Sequence, residues 1–469
     1  MRVSRRALIL GAGALGLSGA LPLRRSYADP PSREYQIAAE SATVNLTGDG
    51  YPDTAVWAYE GTVPGPELRM RPGQPVRITV VNKLGEDTTV HWHGIRLPNA
   101  MDGVPGLTQK PIQPGASFVY EFTPPDAGTF WYHPHVDTLQ QLGRGLAGAL
   151  IVEEPEPVAV DRDLLWLIED WRLDDPGRIA GAFGNRMEAG MSGRIGNTVT
   201  INGRVAEKVS AKAGERVRLR LVNAALARIV GLRFEGHKPV VVAHDGQPCD
   251  PHTPEGGRVV LGPAMRADLI LDMTGKPGQT YRVIDDFYQD LAYKLVDLAY
   301  DGKPGSEPRS DAPPKLPANP LPEPDLTSAE RHEITLQGGM MGGMGMGISG
   351  TGMMDHGGAT WAMNGMSMTG DGQPKMPPLF MIKRGKSCVL AVKNETAWWH
   401  PMHLHGHSFR VISRNGKPNP IREWRDTVLL PARETAEIAF VADHRGDWMF
   451  HCHVTDHQEA GMMTVIRIA

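Results

Sequence analysis

PGQPVRITVVN (72–82) opens on a Pro-Gly turn, alternates Val76, Ile78 and Val80 with Arg77, Thr79 and Val81, and closes on an asparagine. Alternation with a period of two is the pattern of a half-buried β-strand. The phrase returns twice, as AGERVRLRLVN (213–223) and RGKSCVLAVKN (384–394). Each copy is followed by a second shared phrase: QPGASFVYEF (113–122), LGPAMRADLIL (261–271) and LPARETAEIAF (430–440). A third element, GTFWYHPH (128–135) or GDWMFHCH (446–453), closes copies one and three; the middle copy reads GQTYRVID (278–285) there, without histidine. A β unit of roughly 120–150 residues repeated three times has the size of a two-sheet sandwich domain.

Composition agrees. The 469 residues are 41% hydrophobic and include 54 Gly and 39 Pro, which favours turns and short strands over long helices. A net charge of -4 gives no reason to expect nucleic acid or an anionic membrane as partner. Copies one and two meet near EEPEPVAVD (153–161), and the Pro-rich run 305–325 separates copies two and three. The expected organisation is a leader at 1–28, domain 1 at 29–155, domain 2 at 156–304, a linker at 305–325, and domain 3 at 326–469 with an insertion at 338–358.

The leader reads as a twin-arginine export signal. Arg5-Arg6 precede an apolar run from 7 to 23, and Ser26-Tyr27-Ala28 offers a small-x-small cleavage site. Gly11, Gly13, Gly16 and Gly19 dilute that run below what a membrane span needs. A cleaved protein without a membrane anchor, periplasmic or secreted, is expected. Only three cysteines are present, Cys249, Cys388 and Cys452, so no disulfide framework is expected; Cys249 and Cys388 read as ordinary buried thiols.

Ten of the 17 histidines fall in four motifs: HWHG (91–94), HPH (133–135), HPMHLHG (400–406) and HCHVTDHQEAGM (451–462). On a strand, the two histidines of His-x-His face the same way and converge on one site. One such pair is weak evidence; four, at equivalent places in the repeat, point to a metal centre. Cys452 faces away from His451 and His453. With His400, His457 and Met462 it forms the one-Cys, two-His, one-thioether set of a blue-copper site.

These motifs, in this order and spacing, resemble the three-domain multicopper oxidases of the laccase and copper-resistance group, over essentially the whole mature chain. The resemblance implies an all-β chain of three cupredoxin-like Greek-key β-barrel or sandwich domains carrying four copper ions. It assigns a blue mononuclear copper to His400, Cys452, His457 and Met462. It assigns a trinuclear cluster to His91 and His403 on one ion and to His93, His133, His135, His405, His451 and His453 on the other two. The cluster then lies between copies one and three, with the middle copy as spacer. Electrons from a donor would pass from Cys452 to His451 and His453, and O2 would be reduced to water. Asp102 resembles the acidic residue near the cluster. Many bacterial relatives carry an acid directly after the equivalent of His457; here Gln458 stands there, with Glu459 next as the alternative acid, so that proton route is in doubt.

The donor is read from GGMMGGMGMGISGTGMMDHGG (338–358). Nine of the 22 methionines lie between Met340 and Met368. Met340, Met341, Met344, Met346, Met353, Met354 and His356 are soft donors embedded in glycine, where no core needs them. Collection of Cu(I) as substrate is expected. The alternatives are a laccase-type oxidase of phenols and other small aromatic donors, an inert linker, and a non-enzymatic copper store. Met363, Met366 and Met368, in WAMNGMSM (361–368), are expected in the core. No oligomeric state follows from the sequence; a monomer is the default.

Overall fold

The computed structural model describes residues 32–175, 177–303, 309, 311–340, 360–369 and 377–469. The expected leader and most of the methionine-rich stretch, including Met341, Met344, Met346, Met353, Met354 and His356, lie outside them. From Ser32 to Ala469 the chain is one compact unit, built from strands with only short helices among the described residues.

The three quoted phrases form equivalent strands, Val76–Asn82, Arg216–Asn223 and Ser387–Asn394. Each pairs in parallel with the first strand of its copy, at Arg33–Val44, Arg162–Trp171 and Glu330–Gly338. Each also pairs antiparallel with the strand of the second shared phrase.

The closing asparagine explains why the phrase repeats to its last letter. Asn82 donates to the carbonyls of Ile112 and Glu86 at 2.7 and 2.8 Å, and accepts from Leu84 N–H at 2.9 Å. Asn223 donates to Leu261 and Arg228 carbonyls, both at 2.9 Å, and accepts from Ala225 N–H at 3.1 Å. Asn394 donates to Trp398 and Pro431 carbonyls at 2.7 and 2.8 Å, and accepts from Thr396 N–H at 2.9 Å. All three are buried. An asparagine offers two donors and an acceptor on one short arm, so it turns the chain locally and fastens it to the next phrase at once.

Each copy is two sheets around its own core. In copy one a four-stranded sheet contains Val76–Asn82, and a second four-stranded sheet runs Gly65–Met70, Gly148–Val152, Gly128–His133, His91–His93. Ile78, Val80 and Tyr120 from the first face Trp92, Phe130 and Leu150 from the second. Copy two has sheets of six and five strands around Leu219, Leu232 and Leu269. Copy three has sheets of seven and five around Leu390, Phe440, Leu404 and Phe450. Copies one and two also share an apolar contact, in which Trp131, Leu139 and Leu142 meet Leu167, Val222 and Leu226. The stretch 311–325 forms no strand and lies packed against the chain, with Leu316 buried and Asn319 bonded to Ala127 O and Gln247 Oε1, both at 2.8 Å.

One expectation needs correction. Met363 and Met368 are buried, but Met366 is 37% exposed. Trp361–Met363 is the edge strand of its sheet, and Met366 follows the left-handed turn at Asn364 and Gly365, outside the core.

Replacing Asn223 with alanine should leave three buried backbone groups without partners, at a cost of about 2–4 kcal/mol. Denaturant unfolding of the metal-free protein measures it; an unshifted midpoint would show that the asparagine closure is dispensable.

Candidate metal centre

Four strands deliver the histidines. His91–His93 lies antiparallel to Gly128–His133, with His91 opposite His133. His400–Leu404 lies antiparallel to Gly446–Cys452, with His403 opposite His451 and Met402 opposite Cys452. Strand periodicity accounts fully only for His91 and His93. In the other three motifs the strand stops before the second histidine of the His-x-His pair, so His135, His405 and His453 are placed by the turns that follow. All ten motif histidines are buried.

His400 Nδ1, Cys452 Sγ and His457 Nδ1 form a triangle with sides of 3.5, 3.7 and 3.1 Å. A point equidistant from the three lies about 2.0 Å from each, the length of a metal–imidazole bond. The far nitrogens are occupied: His400 Nε2 meets Thr396 Oγ1 and His457 Nε2 meets Met191 O, each at 2.8 Å. With Nε2–H donated outward, both Nδ1 lone pairs face the thiol. Val454 N–H donates to Cys452 Sγ at 3.4 Å. Met462 is buried in the same core, and its backbone bonds to both His457 and Cys452. Trp361 packs its ring on His457 and His400, at 4.4 and 5.1 Å between centroids.

The other eight histidines form a second group. His405 Nε2 and His451 Nε2 are 3.0 Å apart, and His133 Nε2 and His453 Nε2 are 3.4 Å apart. Donor atoms of His135, His405 and His451 converge, as do those of His91, His403 and His405, and those of His91, His93 and His133. Here too an acceptor takes one nitrogen of most rings. His91 Nδ1 donates to Asp102 O at 2.7 Å, His133 Nδ1 to Pro134 O at 2.9 Å and His451 Nδ1 to Cys452 O at 2.9 Å. His91 Nε2, His93 Nδ1, His403 Nε2 and both nitrogens of His135 are buried without any protein partner. Buried nitrogens left open in this number cost too much unless they serve a ligand. Burial holds these imidazoles neutral: His93, His133, His403, His405, His451 and His453 are depressed first by desolvation, and His135 falls to about 3. Neutral rings with free lone pairs are the form that binds a transition metal, so the residues fit copper.

Two buried carboxylates orient the group. Asp102 Oδ2 accepts from His405 Nδ1 at 2.8 Å, while its backbone carbonyl takes the His91 proton. Burial alone would raise the Asp102 carboxyl, but the neighbouring His405 and His91 hold it well below the usual range. Asp102 thus ties a histidine of copy one to a histidine of copy three. Glu459, the other expected acid, caps the short helix Thr138–Gly143 by accepting from Thr138 N–H at 3.1 Å. Gln458 is buried, and neither atom of its amide has a protein partner.

Asp426 escaped the sequence reading because it lies in no histidine motif. Its Oδ1 is 3.2 Å from His93 Nε2, and its backbone carbonyl accepts from His403 Nδ1 at 2.9 Å. Arg266 grips it from copy two with both guanidinium arms, at 2.8 and 2.5 Å. Asp245, also from copy two, accepts from Arg266 N–H and Thr427 N–H at 2.9 and 3.3 Å. The middle copy is therefore more than a spacer. The glycine of HWHG has its reason here as well: Gly94 has φ +86°, and a side chain there would run into Arg266, Asp426 and Phe130.

Multicopper oxidase family profiles match residues 40–157, 162–297 and 351–469. The chain belongs to the multicopper oxidases. It is similar to the crystal structure of a multi-copper oxidase from Pseudomonas thermotolerans, at 36% identity and TM-score 0.83, over 94% of this chain and 100% of that one. A Campylobacter jejuni multicopper oxidase, described as a metallo-oxidase, matches at 27% identity and TM-score 0.77, over 93% and 91%. Multicopper oxidase MmcO of Mycobacterium tuberculosis is 29% identical, over 96% of this chain and 90% of its own length. As a family member the protein is an all-β, three-domain, copper-containing oxidoreductase.

Arg266→Met would leave the buried Asp426 carboxylate without its guanidinium partner. The expected loss is about 3–5 kcal/mol in unfolding of the metal-free oxidase. An unchanged midpoint would mean that the ion pair contributes nothing to joining the copies.

Proposed function

We propose that this oxidase takes electrons from Cu(I) and passes them to O2, as part of copper tolerance. In this reading His400, Cys452 and His457, with Met462 as fourth donor, hold one copper ion. His91 and His403 hold a second, and His93, His133, His135, His405, His451 and His453 hold two more. Bound copper would supply one-electron redox chemistry at the first group and four-electron reduction of O2 to water at the second. The chain does the rest. Cys452 is joined through its own backbone to His451 and His453, so the two groups are linked by covalent bonds. Thr396 and the Met191 carbonyl hold the Nε2 protons of His400 and His457 outward. Asp102 keeps the Nδ1 proton of His405 in place and acts as a positioning anion; for proton delivery Glu459 would have to stand in for the acid that relatives carry at the position of Gln458.

What favours Cu(I) over a phenol is where the methionine-rich stretch is anchored. Met340 N–H donates to Gly190 O at 2.7 Å, and its carbonyl accepts from Trp398 Nε1 at 2.9 Å. On the returning side Thr360 and Trp361 N–H both donate to Ala460 O, at 3.0 and 3.1 Å. Ala460 lies between His457 and Met462, and Trp361 covers both imidazoles of the blue-copper group. Soft donors tethered at both ends beside the electron entry raise the local concentration of Cu(I) there. The Campylobacter jejuni relative's description as a metallo-oxidase points the same way. The phenol reading draws on Trp399, exposed beside His400 and packed on Phe287 at 5.4 Å, as an aromatic docking surface. Export through the leader at 1–28 to a periplasm or the exterior belongs to the same proposal. No helix among the described residues is long and apolar enough to cross a membrane.

Oxygen uptake with Cu(I) and with a simple phenol tests the donor. Deleting 341–356 should lower Cu(I) turnover about tenfold and leave phenol turnover in place; unchanged Cu(I) turnover overturns the collecting role. Cys452→Ser should abolish both the blue absorbance and turnover, and a variant that stays blue and active would sink the ligand assignment.

A further inference from the structure

Copy two carries a second cluster of soft donors, well separated in sequence from the motifs above. HDGQPCDPH (244–252) folds as a hairpin of the strands Val240–His244 and Gln247–His252. Asp245 and Gly246 make its two-residue turn, both with positive φ, as a tight turn of this kind requires. A register irregularity between Val241 and Ala243 shifts the ladder. The hairpin thereby gathers His244, Cys249 and His252, whose donor atoms all lie within 4.8 Å of one another. Cys249 Sγ is 3.9 Å from His252 Nδ1, and the two imidazole centroids are 5.5 Å apart. His244 is buried to 8% exposure, and its Nδ1 has no partner. The expectation that Cys249 is an ordinary buried thiol is thus corrected: it is partly exposed and flanked by two imidazoles.

We infer that His244, Cys249 and His252 form an accessory Cu(I) site, distinct from the ten-histidine centre. One thiolate and two imidazoles are a soft, three-donor set. A closed zinc site would need a fourth protein donor, and the nearby carboxylates are committed elsewhere: Asp250 pairs with Lys315, Glu423 Oε1 is 3.2 Å from Arg425 Nε, and its Oε2 accepts from Asn419 Nδ2 at 2.8 Å. Donors on one ion stand up to twice a bond of roughly 2.0–2.3 Å apart, so a small closure of the hairpin brings all three onto one cation. Binding exchanges the thiol proton for the metal and releases that proton to solvent, without change of oxidation state. Burial, which pushes the Cys249 thiol up to about 12, keeps it protonated until a cation arrives. The site would also stiffen the hairpin whose turn residue, Asp245, holds Arg266 and Thr427 beside the oxidase centre. None of this depends on which donor the oxidase uses.

The test is the rate at which N-ethylmaleimide labels Cys249, read by peptide mass spectrometry on the full-length, copper-loaded protein, reduced with ascorbate and kept anaerobic. One equivalent of Cu(I) should abolish labelling, and Zn(II) should not. His252→Ala should lose the protection while its thermal unfolding stays cooperative. Unaltered labelling with Cu(I) overturns the site without recourse to any variant. Protection by Zn(II) alone, or protection that survives His252→Ala, overturns it equally.

Discussion

Arg266 and Asp426 form a bidentate ion pair in complete burial, and all three copies of the repeat meet at it. The guanidinium belongs to copy two. The carboxylate belongs to copy three and faces His93 of copy one, while the same residue's carbonyl holds His403 of copy three. A buried charge is stable only when paired and fully hydrogen-bonded. The pair therefore demands that the three domains dock in one arrangement, and that arrangement is the one that closes the histidine group. Gly94 records the demand in the sequence, because no side chain fits between the pair and copy one.

Around this pair the centre follows a single electrostatic rule. A ligating imidazole must be neutral and is oriented when its other nitrogen is occupied, as it is in most of these rings, His135 excepted. Desolvation enforces the first condition. Backbone carbonyls of Asp102, Pro134, Cys452 and Met191, with Thr396 and two carboxylates, enforce the second. Most of those partners are main-chain atoms, so they leave no mark on the residue types around them. Cys452 is a partner of this sort through its carbonyl and a ligand candidate through its sulfur, which makes one residue the junction between the two groups.

Copy two shows how a repeat without ligands still acts on the site. It keeps the strand phrase and the asparagine closure, and it loses the histidines. Its charged residues then reach across the interfaces: Arg266 and Asp245 toward Asp426 and Thr427, and Asp268 toward Thr129 of copy one at 2.7 Å. The hairpin that presents Asp245 also presents His244, Cys249 and His252, so a metal on that hairpin would act next to the network that orients the oxidase centre.

Much was legible in the sequence because it is local. Strand alternation, the Pro-Gly or Gly-containing entry to each phrase and the closing asparagine depend on neighbours along the chain, and they fixed an all-β threefold repeat. His-x-His spacing and the lone Cys452 marked the metal centre for the same reason. What the tertiary structure alone decided is the company those residues keep. Asp426, Arg266 and Thr396 carry no motif, and their roles arise from packing between copies. Met366 was misjudged because its exposure depends on lying past an edge strand, and Cys249 because its imidazole neighbours come together only through a hairpin register shift. Spacing along a chain names the donors; only folding sets which nitrogen of each ring is left free.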